Sequence, residues 1–395
     1  MIQRLTELQQ IQQIVTEHPP ANDGLFDGEL GAFLFQWYWA IERDEEKLES
    51  AFTKLSAIFD RVNSQTSSLK GDSFANGMAG FASVLTHLYQ RHDLDLDLNE
   101  LLGEVDQMLI ACAQTNIEAG NVDFYHQAIG TISYLSRRLP DKYIARKLQD
   151  LLISLKKHGV SDQYGFRYLS SIGGGKGTSY DLGLAHGLCG LCLTILPLIE
   201  QPMFRALARD IVSPAIDFLL YSFDLVERSD SSLTGPQWSI FPILVGSDDH
   251  KPELTNRLAY CYGDLNPLLV LVMAQRYLPE RADQLQKVIT RLQERVCVLQ
   301  TTAETGIDDA HFCHGASGVA LIFQSLYRLT GDTLYQAAYQ YWIDQTFHYL
   351  RKDISKAQYA GNEASLLEGF SGIGLVLLSH EAETYLPWPE LFLLP

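Results

Sequence analysis

Apolar residues in this chain gather into seven short runs, and a pair of glycines introduces most of them. The pattern is a glycine, two other residues, a second glycine and an apolar stretch, as in NGMAGFASVLTHLY from Asn76. The second glycine position falls at Gly31, Gly80, Gly130, Gly190, Asn266, Gly318 and Gly372. Most of these positions lie about fifty residues apart, which is enough for two helices of ordinary length and two loops.

Amphipathic stretches lie between the apolar runs. LNELLGEVDQMLIACAQ and ARKLQDLLISLKKHG place apolar residues three and four positions apart and charged residues on the other side, which is typical of helices that cover a core. The run after each glycine pair carries fewer charges, which indicates a helix that is buried on most sides. Each copy of the pattern therefore predicts one inner and one outer helix.

Seven such copies can close into a ring or stack into an open solenoid. A solenoid is expected to end in atypical, polar capping repeats, whereas the first and last copies here carry the full glycine pattern. We therefore predict an all-α fold, an α/α toroid of seven inner and seven outer helices, with glycine-rich loops around a common mouth. Glycine at the start of an inner helix would let backbone or ligand approach the free N–H groups closely.

The longest spacing between copies predicts an inserted segment. The 76 residues from Gly190 to Asn266 include SDSSLTGPQWSIFPILVGSDDHKPELTN, which has turn residues and a short β-like run. We expect a loop insertion near the mouth at residues 228–255 within a single toroid domain spanning residues 1–395. The glycine-rich segment SIGGGKGTSY, ahead of His186, is predicted to be a rim loop. It lacks the glycine spacing of a phosphate-binding loop, so nucleotide binding is not expected.

Composition and charge narrow the function classes. The net charge of −18 argues against a nucleic-acid partner, since phosphate binding needs a Lys/Arg surface. No stretch reaches the roughly 18 apolar residues of a membrane span, and no secretory signal is visible at the N-terminus. The six cysteines are therefore expected to be free thiols or metal ligands in a reducing, cytoplasmic compartment.

Polar residues stand directly before the first glycine position of every copy. They are Asp27, Asn76, His126, His186, Tyr262, His314 and Glu368. In a closed ring these residues would face one cavity, although about fifty residues or more separate them along the chain.

Two cysteines and one histidine from these loops form the sharpest candidate site. Cys261 lies in AYCYG, and Cys313 and His314 lie in FCHG, so the two segments share one repeat position. Two thiolates and an imidazole suit zinc, and three protein ligands leave a fourth tetrahedral position for water or substrate. The alternative is that both cysteines are small buried apolar residues, but their matching positions beside a histidine favour one zinc ion per chain.

Other candidate residues are less specific. Cys189 and Cys192 form a C-x-x-C pair inside an apolar run, so core packing is favoured over a redox or second metal role. His186 shares the repeat position of His314, which suggests general acid–base catalysis beside the metal. His126 and His311 carry no equally strong argument and are assigned no role.

Four ordered motifs resemble the lanthionine synthetase C-like family. They are GLAHGLCG from Gly183, NRLAYCYGD from Asn256, CHGASG from Cys313 and LLEGFSGIG from Leu366. The repeats extend over about residues 20–380, so the resemblance covers nearly the whole chain. It implies an α/α toroid and the same three zinc ligands.

The resemblance also implies catalytic roles. His186 corresponds to a histidine that acts in proton transfer in the bacterial cyclases of the family. Arg257, four residues before the first zinc cysteine, and Tyr262, directly after it, match further family positions. Asp123 matches an aspartate ahead of the third repeat, and the resemblance places it near His186, where it could orient the imidazole.

The chain departs from the family pattern at three positions. Tyr260 stands where tryptophan is usual, Asn266 stands where glycine is usual, and Gln127 replaces the first glycine of the third copy. None of these changes removes a metal ligand, so the prediction of zinc is unaffected. They alter residues around the mouth, so the substrate is less well defined by the resemblance than the metal is.

The resemblance implies a zinc-dependent lanthionine synthetase, a carbon–sulfur bond-forming cyclase of the lyase class. Such an enzyme adds a cysteine thiol of a modified precursor peptide to dehydroalanine or dehydrobutyrine and closes a (methyl)lanthionine thioether ring. Arg257 or His186 would stabilise the enolate, and protonated His186 would deliver a proton to the α-carbon. The dehydrated precursor peptide is the implied partner, together with a dehydratase and a membrane-associated export complex.

Three other functions stay open on the sequence. A eukaryote-like branch of the same family adds glutathione to dehydrated residues. A non-catalytic scaffold with structural zinc could bind a peptide or a kinase, but it would need only the ligands, whereas Arg257, His186 and Tyr262 are intact. A glycosidase needs two carboxylates in its cavity. Asp27 and Glu368 would be neighbours if the ring closes, but the favoured role for both is to cap helix N-termini.

Overall fold

The computed structural model describes residues 2–92, 97–170, 177–228 and 239–395. In these ranges the α-helices are α1 (Ile2–Glu17), α2 (Glu29–Arg43), α3 (Leu48–Asn63), α4 (Met78–His92), α5 (Leu98–Ala119), α6 (Ala128–Arg137), α7 (Lys142–His158), α8 (Leu188–Ile195), α9 (Arg205–Arg228), α10 (Leu265–Tyr277), α11 (Ala282–Val296), α12 (Thr302–Thr305), α13 (Ala316–Thr330), α14 (Thr333–Lys356) and α15 (Phe370–Glu381). The strands in the same ranges are β1 (Val160–Asp162), β2 (Gly165–Arg167), β3 (Ser179–Asp181), β4 (Leu244–Gly246) and β5 (Pro252–Glu253).

The helices form two concentric layers. The apolar runs form the inner helices α2, α4, α6, α8, α10, α13 and α15, and the amphipathic stretches form the outer helices α1, α3, α5, α7, α9, α11 and α14. Every residue of α8 is buried. The outer helix α11 buries only a stripe, which consists of Leu285, Val288, Ile289, Leu292 and Val296. This spacing of three and four residues is that of a helix with one face on a core.

The ring of helices is closed. Consecutive inner helices from α4 onward pack side by side, and α15 packs back against α2. A ring of backbone hydrogen bonds also links the loops that precede the inner helices, and the accepting carbonyl groups are those of Ala75, Tyr125, Ala185, Cys261, Cys313, Leu367 and Phe26. The last link joins the two ends, because Leu366 and Leu367 donate to the Phe26 carbonyl oxygen at 2.8 and 3.1 Å. The predicted α/α toroid is therefore confirmed over an open solenoid.

Where the second position is a glycine, it allows close packing against its own loop. A Cβ atom at Gly318 would lie 1.9 Å from the carbonyl oxygen of Phe312, six residues earlier. The fifth copy solves this contact differently, because the buried Asn266 donates from Nδ2 to the carbonyl oxygen of Tyr260, also six residues earlier, at 2.9 Å. Its Oδ1 accepts from the Leu184 N–H at 2.9 Å, so Asn266 joins two neighbouring copies by side-chain hydrogen bonds.

Two small antiparallel sheets decorate the ring. β1 pairs with β2, and β3, β4 and β5 form a second sheet in that order. β4 and β5 come from the predicted insertion, and the buried Asp264 anchors this segment by accepting the backbone N–H groups of Ile240 and Phe241, both at 3.0 Å. Residues 229–238 of the predicted insertion and 171–176 of the predicted rim loop lie outside the described residues.

The C-terminal segment packs against the inner layer of the ring. A 3₁₀ helix at Trp388–Phe392 is buried against the inner helices. The Phe392 ring contacts the rings of Phe26, Phe74 and Phe312, which come from the first, second and sixth copies. The Tyr260 hydroxyl donates to the Phe392 carbonyl oxygen at 2.8 Å, so this residue, which replaces the family's usual tryptophan, ties the segment to the fifth copy.

Among the described residues, no helix combines the length and the apolar character that crossing a bilayer would require.

Candidate active site

The loops before the inner helices surround one cavity of about 720 Å³. Every copy contributes to it, and the residues from these loops are Phe26 and Asp27, Ala75 and Asn76, Tyr125 and His126, His186, Cys261 and Tyr262, Cys313 and His314, and Ser365, Leu367 and Glu368. The seven polar residues that precede the glycine positions are all in this set. Ser179 and Asp181 of β3 and Leu244 of β4 complete one wall, so the insertion shapes the mouth.

Cys261, Cys313 and His314 converge in this cavity. Their ligand atoms all lie within 4.8 Å of one another. The two sulfur atoms are 3.3 Å apart, and Cys313 Sγ lies 3.5 Å from His314 Nε2. The cysteines are 5% and 4% exposed, whereas His314 is half-buried and reaches towards the cavity.

The donor set and its spacing fit a zinc ion. With Zn–S near 2.3 Å and Zn–N near 2.0 Å, tetrahedral geometry places two sulfurs about 3.8 Å apart and a sulfur and a nitrogen about 3.6 Å apart. The observed Sγ–Nε2 distance matches, and the sulfurs need to separate by roughly half an ångström to reach that geometry. Cys261, Cys313 and His314 could therefore hold a metal ion, and all three line the cavity.

The two thiols have opposite electrostatic settings. Hydrogen bonds from Cys261 and His314 lower the pKa of Cys313 to about 5, although burial opposes them. Burial raises the pKa of Cys261 well above its ordinary value, and the neighbouring Cys313 sulfur raises it further. One sulfur is therefore ready to act as an anionic ligand, and the second must lose its proton when a cation binds.

His186 lies across the cavity with two carboxylates around it. Its Nδ1 is 3.7 Å from Asp123 Oδ2, and the His186 side chain is 27% exposed while that of Asp123 is 5% exposed. Burial lowers the pKa of His186, but Asp123 and then Asp181 outweigh it, so the net effect raises the pKa above its ordinary value. Asp123 is itself held in place, because its Oδ1 accepts the His126 backbone N–H at 2.6 Å. The structure thus brings Asp123 and His186 together.

Arg257 and Tyr262 lie beside the sulfur site rather than beside His186. Arg257 Nη1 donates to the His314 carbonyl oxygen at 3.3 Å, so its guanidinium supports the loop that carries two of the three ligands. The Tyr262 ring lies 5.4 Å from the His314 ring, and its half-buried side chain lines the cavity. Burial raises the pKa of Tyr262, so its hydroxyl is neutral and able to donate a hydrogen bond.

Sequence reasoning missed several residues of the site. His126 stacks on His186 with ring centroids 5.6 Å apart, and its position before Gln127 was the only signal for it. Asp181 belongs to β3 and has no place in the repeat, so no sequence pattern pointed to it. His311 accepts the His314 backbone N–H at 3.4 Å, and Tyr125 lines the cavity.

Comparisons with known proteins agree with the geometry. The family described as lanthionine synthetase C-like protein matches residues 19–393. A solved structure described as nisin cyclase matches 98% of this chain and 97% of its own, with a TM-score of 0.75 and 17% sequence identity. At that identity the structural likeness shows a shared fold.

Proposed function

The chain belongs to the lanthionine synthetase C-like family, and from this premise we propose that it is a zinc-dependent lanthipeptide cyclase. It would add a cysteine thiol of a dehydrated precursor peptide to dehydroalanine or dehydrobutyrine and so form (methyl)lanthionine rings. The observation that carries the proposal is the pairing, in one cavity, of a three-donor metal site with a histidine whose pKa is raised by carboxylates.

The donor number supports a catalytic role over a structural one. Structural zinc sites are closed by four protein ligands, whereas three ligands leave a position for water or substrate. Cys261, Cys313 and His314 would hold the ion, and Arg257 would keep the His314 loop in place through its carbonyl. When bound, zinc favours the thiolate form of a coordinated thiol, whose ordinary pKa is near 8.5.

The cavity residues supply the rest of the reaction. Attack of the peptide sulfur on the β-carbon forms a C–S bond and moves the π electrons of the alkene towards the carbonyl oxygen as an enolate. Protonated His186 then gives its proton to the α-carbon and breaks its own N–H bond. The thiol proton passes to solvent, the α-carbon gains the His186 proton, and a proton from solvent restores His186, so the addition balances.

Asp123 would set the protonation state of His186. The carboxylate lies 3.7 Å from Nδ1, which favours the imidazolium and orients the ring so that Nε2 can serve the substrate. Asp181 adds negative charge nearby and supports the same protonation state. Tyr262 and the stacked His126 would line the path of the dehydrated residue.

The first test measures zinc in the purified chain and in Cys261→Ala and Cys313→Ala. Cys192→Ala is the matched control, because that thiol is fully buried in α8 away from the cavity. We expect one zinc per chain in the wild type and in Cys192→Ala, and none in the two ligand variants.

Activity is then measured on a peptide that carries dehydroalanine and one free cysteine. Cyclisation leaves the peptide mass unchanged, so the readout is loss of alkylation of the cysteine, detected by mass spectrometry. Addition of glutathione would instead raise the peptide mass by one glutathione. Zinc binding without either change would contradict a catalytic role and leave a zinc-holding scaffold.

A further inference from the structure

Tyr125 places a phenol at the centre of the candidate site, where the sequence gives it no role. It lines the cavity and is 3% exposed. Its backbone belongs to the ring of inter-copy hydrogen bonds, because its N–H donates to the Ala185 carbonyl at 3.2 Å and its carbonyl accepts from Ala75 at 2.8 Å. The position of the side chain is therefore set by the closed ring.

The repeat explains why this phenol meets the sulfur atoms. The seven carbonyl groups of the backbone ring mark one equivalent position in each copy, and that position is held by Tyr125 in the third copy. The same position is Cys261 in the fifth copy and Cys313 in the sixth. Side chains at this position converge on one cavity, so the phenol and both thiols meet although more than a hundred residues separate them in sequence.

The hydroxyl of Tyr125 is buried and has no hydrogen-bond partner at ordinary distance within the described ranges. Such a group is costly unless it gains an acceptor. Burial raises the pKa of the Tyr125 hydroxyl, and the side chains of Cys313, Tyr260 and Cys261 raise it further. These three side chains are its polar neighbours. The Tyr260 hydroxyl donates to the Phe392 carbonyl, so the acceptors near Tyr125 are the Tyr260 oxygen and the two sulfurs. Only the sulfurs become anionic when a cation binds, and an anionic acceptor makes the stronger hydrogen bond.

Edge-on contact joins the same residue to the other half of the site. The Tyr125 and His186 rings lie 5.3 Å apart at 75°. One side chain thus touches the His186 imidazole with its ring and lines the same cavity as the two cysteines.

We propose that Tyr125 is a positioning residue for the metal centre, whose hydroxyl donates a hydrogen bond to the ionised Cys313 sulfur when the ligands bind zinc. This inference rests on the zinc site of the proposed function. Two thiolates in a nearly dry pocket concentrate negative charge, and a donor beside one of them stabilises that charge and fixes the direction of its lone pairs. A phenol carries an O–H donor at neutral pH, so Tyr125 can donate this bond.

The test is Tyr125→Phe, which removes only the oxygen and keeps the ring against His186. The matched control is Tyr335→Phe, since the Tyr335 hydroxyl of α14 is also buried without a partner in the described ranges but lies away from the cavity. Zinc affinity is measured by competition with a chromophoric chelator. The sulfur-to-metal absorption band is measured on the Co²⁺-loaded proteins, and unfolding is measured on the metal-free proteins.

We expect Tyr125→Phe to bind zinc roughly 10- to 100-fold more weakly, as is typical when a partner of a metal ligand is removed. The sulfur-to-cobalt band should move to lower energy, because a thiolate without its hydrogen bond donates electrons more readily. Metal-free Tyr125→Phe should be as stable as the wild type, since the hydroxyl is unpaired there. Tyr335→Phe should leave affinity and spectrum unchanged.

Equal zinc affinity and an unchanged band in Tyr125→Phe would overturn the inference while the proposed zinc site stands. A loss of metal-free stability with unchanged affinity would also overturn it, because it would assign the hydroxyl a purely structural role. A wild-type chain that binds neither zinc nor cobalt would overturn the proposed function first, and this inference with it.

Discussion

The sulfur side and the histidine side of the cavity are built at matching repeat positions but do different chemistry. His314 and His186 both stand directly before a first-position glycine. His314 follows a buried cysteine and lies 3.5 Å from its sulfur, whereas His186 follows an alanine and faces Asp123 at 3.7 Å. The repeat therefore sets the position of each imidazole. The residues around an imidazole determine whether it is suited to binding a metal or to transferring a proton.

Burial acts differently on the two sides. The cysteines are almost completely buried, and a hydrogen bond between them lowers the pKa of Cys313 while burial raises that of Cys261. His186 is more exposed, and the charges of two carboxylates raise its pKa against the effect of burial. The buried sulfur atoms are suited to binding a cation. The more exposed His186, with a carboxylate beside it, is suited to exchanging a proton with substrate or solvent.

The largest expected effect comes from breaking the sulfur side at its imidazole. His314→Ala removes one of three ligands, so zinc affinity should fall by more than roughly 100-fold, beyond the effect of losing a ligand's partner. Cyclisation should fall to the uncatalysed rate. Full zinc content in His314→Ala, measured by atomic absorption beside the exposed His348→Ala control on α14, would remove His314 from the ligand set.

Breaking the histidine side should separate chemistry from metal binding. His186→Ala should retain one zinc per chain and lose roughly 10²- to 10⁴-fold in cyclisation rate, which is the usual contribution of a general acid or base. The measurement is single-turnover ring closure under saturating enzyme. Undiminished cyclisation would show that another group protonates the α-carbon.

A smaller effect should follow from changing the charge beside His186. The reaction needs protonated His186, so activity is present below its pKa and is lost as pH rises through it. Asp123→Asn removes the main group that raises this pKa, so the loss should begin at lower pH, and activity at and above neutral pH should be lower than in the wild type.

The control for this pH shift is Asp210→Asn, which changes an exposed carboxylate on α9 and should keep the wild-type profile. The Asp123→Asn and wild-type rates should converge at acidic pH, where His186 is protonated in both. Identical alkaline limbs in the Asp123→Asn and wild-type profiles would contradict the assigned partnership.

A substitution away from both sides of the site should change stability alone. Asn266→Ala removes the side-chain bonds to the Tyr260 carbonyl and the Leu184 N–H, so the free energy of unfolding should fall by about 1–3 kcal/mol. Zinc per folded chain should not change. Chemical denaturation compares it with Asn63→Ala at the exposed end of α3, and equal stability of the two variants would show that the ring does not need these bonds.

Much of the fold could be predicted because its instructions are local and repeated. Glycine pairs, apolar runs and amphipathic stretches recur along the chain, and each unit can be recognised without its neighbours. The candidate metal ligands were predicted from the same repeat position, since Cys261 and the Cys313–His314 pair occupy equivalent loops, and the structure brings these three residues together. The family match over residues 19–393 confirms the resemblance that these motifs carried.

The departures from the pattern could not be interpreted in advance. Asn266 reads as a defect in the fifth copy, yet its amide replaces the close glycine contact with two hydrogen bonds. Tyr260 reads as a weakened motif, yet its hydroxyl holds the C-terminal segment. Both answers depend on the atoms that face these side chains across the ring.

The seven-fold helical ring, the common mouth and the donor atoms of the candidate metal site could be predicted from sequence, because each follows from short patterns that recur at one repeat position. Contacts in three dimensions were needed to place Asp181 with Asp123 around His186, and Tyr125 in the same cavity as the two thiols. They were also needed to place the C-terminal segment against the inner layer of the ring. Charge, burial and hydrogen bonding depend on distances between residues of different copies. The repeat along the chain predicts the position of each side chain within its own copy, but not which residues of other copies will contact it.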